Sequence, residues 1–156
     1  MKRFCFLKLL LFCSCICFGQ DLTGEQLLDK AIAYHDPNNS WPSFNGSFKV
    51  TMSTPDGKER KSNIVINLPQ QYFQLRSTKD TLVLKQTLIK NDCELMLNGS
   101  ATISKQDQKK HRLTCERANM YKNYYTYLYG LPMKLKDPGT IVDPLTVKKT
   151  FKGKVY

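Results

Sequence analysis

The residues best suited to recognising a ligand are phenols. Tyr121, Tyr124, Tyr125 and Tyr129 recur at the three- and four-residue spacing of one helical face. Such a stripe packs as core against a sheet, or it lines a cavity that takes an amphipathic ligand, since several polar phenol tips are wasteful in a dry core. Arg117 falls on the same face. Its guanidinium can stack on Tyr121 or meet an anionic head group, or its stem packs while the charge reaches water. Trp41, the only tryptophan, joins Arg117, Tyr121, Tyr124, Tyr125 and Tyr129 as a candidate ligand-binding residue.

Chemistry that breaks bonds has little to stand on. The chain lacks a G-x-S-x-G elbow, an H-E-x-x-H pair, a phosphate-cradling G-x-x-x-x-G-K and a dinucleotide glycine pattern. His111 and Cys115 sit four apart and can share a helical face, but two ligands fall short of the three or four that zinc needs. His35 lies on an apolar stripe, where a hydrogen-bonded core histidine is expected rather than a base. Neither Cys93 nor Cys115 has the neighbouring base that would make it a nucleophile. No enzyme, metal or cofactor is expected from these residues.

The elements that must position the candidates follow from periodicity. Thr23 and Gln26 form a capping box, Leu27, Leu28, Ala31, Ile32 and His35 recur at helical spacing, and Asp36-Pro37 stops the helix. The period then changes to two: Phe44, Gly46, Phe48, Val50 and Met52 alternate with polar residues. Strands over 63–68, 72–77, 81–90 and 93–97 continue a meander of about five antiparallel strands, ended by the turn signal Asn98-Gly99. A second helix is expected within 106–129, stopped by Gly130. A last strand is expected from Thr146, with Val147, Phe151 and Val155 on one face. Its pattern breaks off at Tyr156, which reads as a truncated C-terminus.

The beginning of the chain carries an address. Met1-Lys2-Arg3 is a short positive segment, an apolar run extends from Phe4 to Phe18, and Cys17-Phe18-Gly19 offers a small–x–small cleavage site. This reads as a signal peptide over 1–19 ahead of a single domain over 20–156. The alternative, lipid anchoring on Cys15 or Cys17, fits less well, because neither is preceded by the usual aliphatic and small residues. The full chain has a formal charge of +11, and the exported part keeps +8 once Lys2, Arg3 and Lys8 leave with the leader, so it meets anionic envelope surfaces such as lipid head groups rather than nucleic acid. Once the leader is removed, Cys93 and Cys115 are the two cysteines left, and an oxidising compartment permits a disulfide between them.

Ala33-Tyr34-His35-Asp36-Pro37, Leu113-Thr114-Cys115-Glu116-Arg117 and the run YYTYLYGLPMKLKDPGT over 124–140 resemble an uncharacterised family of exported Gram-negative proteins with a lipoprotein-carrier-like (LolA-like) fold. The resemblance implies an α+β architecture: a curved antiparallel sheet forming an incomplete barrel, with two helices against its concave face and an apolar cavity for acyl chains. It assigns no residue a role. Members carry more strands after the second helix than this chain does, which fits truncation. The function implied is binding of a lipid or of the acyl group of an acylated protein, in the periplasm or outer envelope. A non-enzymatic adaptor on the same fold without a lipid ligand is the alternative.

Overall fold

The computed structural model describes residues 21–155, so the leader expected over 1–19 lies outside the described residues. The described chain forms two compact units, 21–31 with 139–155, and Ile32–Pro138. Helix α1 spans Gly24–His35. Its capping box forms in both directions: the Thr23 backbone N–H donates to Gln26 Oε1 at 3.0 Å, and the Gln26 N–H donates to Thr23 Oγ1 at 3.2 Å. The apolar stripe is narrower than its spacing suggests, with Leu28 buried and Leu27 half exposed. His35 is exposed, with its ring edge-on to Tyr34 at the solvent-facing end of the helix, so the expected core histidine is corrected.

In the first unit, the Thr146 hydroxyl donates to the Leu22 carbonyl at 2.8 Å and Lys148 pairs with Asp21 at 2.6 Å. The strand expected from Thr146 onward is instead a small hairpin, β6 (Thr150–Phe151) and β7 (Lys154–Val155). Lys152 and Gly153 both take positive φ, so the chain reverses between them. Val147, Phe151 and Val155 are all largely exposed and build no common buried face.

The second unit contains the sheet. Strands β1 (Asn45–Ser53), β2 (Glu59–Asn67), β3 (Tyr72–Lys79), β4 (Leu82–Ile89) and β5 (Asp92–Leu97) pair antiparallel in chain order. Each strand alternates, so one face collects Phe48, Ile64, Phe73 and Leu88, brought level by the registers Phe48↔Ile64, Ile66↔Phe73 and Phe73↔Leu88. The β-branched and aromatic residues on that face suit a pleated, half-buried surface. Ile64, Ile66 and Phe73 are almost fully buried.

Two helices stand where one was expected. Helix α2 covers Lys105–His111 and α3 covers Cys115–Tyr129. Arg112 turns left-handed at φ 50°, its N–H caps the end of α2, and Thr114 then restarts the chain by accepting from the Arg117 N–H through its hydroxyl. Leu113, between the two, is buried. Helix α3 packs on the sheet, and Ala118 and Tyr125 enter the core formed by Ile64, Ile66, Phe73, Leu75 and Leu88. The architecture is therefore α+β, a five-stranded antiparallel sheet with a helix across it. A disulfide joins Cys93 on β5 to Cys115 at the start of α3, with Cα atoms 6.0 Å apart. Among the described residues, no helix is long and apolar enough to cross a membrane.

Candidate functional site

The site grows from a row of rings. Trp41 lies 5.2 Å from Phe44, Phe44 stacks on Phe48 at 5.8 Å, and Phe48 stacks on Tyr129. From Tyr129 the row climbs α3 through Tyr125 at 6.2 Å to Tyr121 at 6.3 Å, with the planes nearly parallel. Arg117 closes it: its guanidinium carbon sits 5.2 Å from the Tyr121 ring centre, and Nη2 donates to the Tyr121 hydroxyl at 3.1 Å. The i, i+4 spacing of 117, 121, 125 and 129 produces this ladder, because residues four apart lie one above the other on a helix.

Beside the ladder, between β1 and α3, runs a groove of about 510 Å³. Val50 and Met52 form one wall, Met120, Tyr124 and Leu128 the other, and Tyr121, Tyr125 and Tyr129 the floor side. Met52, Met120, Tyr124 and Leu128 are each about half exposed, so large apolar side chains gather in one strip facing solvent. Tyr125 is buried to 5 % exposure, while Tyr124 beside it remains 57 % exposed. The phenol of Tyr125 is held above the usual tyrosine range, chiefly by burial, with Arg60 pulling the other way.

Thus five of the six residues singled out in the sequence, Arg117, Tyr121, Tyr124, Tyr125 and Tyr129, come together along this groove. Trp41 does not join its lining. The Asp36 carboxylate accepts from the Ser40 and Trp41 backbone N–H groups at 2.6 and 2.9 Å and ties the turn down. The indole ring lies so close to Gly130 that a Cβ there would meet it at 2.4 Å. Trp41 packs on Phe44 and Gly130 at the end of the row.

Comparison with known proteins places the chain. A family of unknown function (DUF6503) matches residues 1–156. The chain belongs to that family. Nothing among curated proteins or solved structures matches it. For this member of DUF6503, the site must therefore be read from its own residues.

Arg60 is the functional candidate that periodicity alone passed over. It lies on β2 opposite Met52, and its Nη2 reaches the Met52 sulfur at 4.0 Å. The available signal was parity, since residue 60 shares the inward alternation of Ser62, Ile64 and Ile66. A strand expected to begin at residue 63 left it in a turn. His111 and Cys115 do not form a metal pair, because the Cys115 sulfur is committed to the disulfide. No group of three or more metal-binding side chains occurs among the described residues.

Proposed function

We propose that this protein binds a lipid, or the acyl group of an acylated protein, along the tyrosine-lined groove beside α3, as a non-enzymatic component of the cell envelope. The observation that carries the reading is the groove itself. Met52, Met120, Tyr124 and Leu128 stay half exposed around a space of about 510 Å³, a size suited to a small-molecule ligand. Each acyl methylene buried there contributes about 0.8 kcal/mol, so a chain of ordinary length offsets several kcal/mol of association cost.

Two further features support the setting. The Cys93–Cys115 disulfide suits an oxidising compartment, as the leader-like segment before Gln20 does. A meander with one apolar face crossed by a helix is consistent with a lipoprotein-carrier-like incomplete barrel. Titration of the full-length protein with a fluorescent fatty acid tests the proposal, with saturable low-micromolar binding expected. Mass spectrometry of an organic extract of the purified protein should find co-purified lipid. Absence of both would overturn the reading in favour of an adaptor that uses the fold without a lipid.

A further inference from the structure

A second and smaller space shares Arg60, Arg117 and Tyr121 with the groove. It measures about 190 Å³ and is also lined by Ser77, Lys79, Gln86 and His111. The two spaces differ in character. The first is walled mainly by methionine, leucine, valine and tyrosine, the second mixes Leu75, Leu82 and Leu84 with Lys79, His111, Ser77 and Gln86, and no carboxylate lines either of them. Arg60 and Arg117 both line the two spaces, and neither forms an ion pair with a described carboxylate.

The polar end also contains atoms that lack partners. Arg60 Nε is buried without an acceptor, and Gln86 Oε1 is buried without a donor. Gln86 is only 4 % exposed, on the sheet face that carries the core. Leaving such groups unpaired costs stability, so their presence together in one recess points to a ligand that satisfies them. A half-turn of the Gln86 amide exchanges its acceptor for its donor, which lets it answer either an oxyanion or a hydroxyl.

Building on the acyl-binding reading above, we propose that the ligand is a single-chain amphiphile with an oxyanion head. The chain lies in the groove between β1 and α3, and the head is held by Arg60 and Arg117 with Gln86 beneath it. A guanidinium pair matches the planar geometry of a carboxylate or the tetrahedral face of a phosphate, and charge-assisted bonds are the stronger kind. The Tyr121 hydroxyl and ring keep the Arg117 side chain at the junction between the two spaces. A neutral acyl ester would fill the apolar groove yet leave both guanidinia and Gln86 unanswered.

The test uses the full-length protein and three probes of equal chain length: palmitate, hexadecyl phosphate and methyl palmitate. Wild-type protein should bind at least one of the two anions about tenfold or more tightly than the ester, as loss of a charge-assisted bond implies. Which anion is preferred distinguishes a carboxylate head from a phosphate head. Arg60→Met and Gln86→Leu should each lower the ratio of anion to ester affinity toward one, with near-wild-type circular dichroism and melting as the folding control. If Arg60→Met misfolds, the ratio of anion to ester affinity in wild type, and its fall with salt, still decides the matter. Equal binding of all three probes would overturn the head-group site while leaving acyl binding intact. Binding of none would remove both.

Discussion

The rings of Phe48 on β1 and Tyr129 on α3 lie face to face, 3.7 Å between centres and 1° between planes. This pair joins the first strand of the sheet to the last residue of the helix, and its tyrosine lines the groove beside α3. Phe48→Ala should destabilise the protein by about 3 kcal/mol, since a partly buried aromatic ring and its stacking partner are both lost. In a double-mutant cycle with Tyr129→Ala, a coupling of about 0.5–1.5 kcal/mol is expected from denaturant unfolding. Strict additivity would show that the stacking contributes nothing beyond area.

Tyr124 and Tyr125 are sequence neighbours with opposite surroundings. Tyr125→Trp overfills a closed core and should cost about 1–3 kcal/mol. Tyr124→Trp stands at the groove rim and should change stability by less than about 0.5 kcal/mol. The rim variant should nevertheless alter fatty-acid affinity. Urea unfolding alongside a fluorescence titration separates the two effects.

The Tyr125 phenol also gives a pH signature. Its folded pKa lies above the unfolded value, so its contribution to stability is complete below about pH 10 and is lost as pH rises through the folded pKa. Wild-type protein should therefore lose more unfolding free energy than Tyr125→Phe between pH 8 and the alkaline range. Parallel denaturation series in the two proteins measure the difference, and identical slopes would contradict it.

Gly130 ends α3 where three groups crowd it. An added Cβ would meet Trp41 Cζ2 at 2.4 Å, Lys134 Cγ at 2.5 Å and the Thr126 carbonyl oxygen at 2.7 Å. Gly130→Ala should destabilise by about 1–3 kcal/mol, although its φ of −90° would suit any residue. A blue- or red-shifted Trp41 emission should accompany the loss, because Trp41 is the only tryptophan.

Cys93 and Cys115 close a loop with a sequence separation of 22. Replacing both with serine should lower stability by about 3 kcal/mol, largely by freeing the unfolded chain. Thiol counting under denaturing, non-reducing conditions should find the pair blocked in wild type. Equal stability with and without reductant would refute the contribution.

Local patterning carried a large part of this fold. The capping box at Thr23, the alternation from Phe44 to Met52 and the four-residue spacing of Arg117, Tyr121, Tyr125 and Tyr129 each depend on backbone geometry within one element. Those features were therefore readable from neighbouring residues alone. Where a single residue broke the pattern, reading it was harder. Arg112 in the left-handed region divides one expected helix into α2 and α3, and Lys152 with Gly153 folds the last expected strand into a hairpin.

Burial of individual side chains depended on what packs across from them, and sequence spacing is silent about that. Tyr124 and Tyr125 look alike on the helix, yet only Tyr125 meets the sheet core. Trp41 is far from Gly130 in the chain, yet its ring lies where a Cβ at Gly130 would stand. Arg60 and Arg117 are 57 positions apart in the chain, and only the strand register and the docking of α3 bring both to one groove. Helical and strand periods act over a few residues, whereas a binding site is an accident of long-range packing, so the site's members were visible while its shape and its second arginine were not.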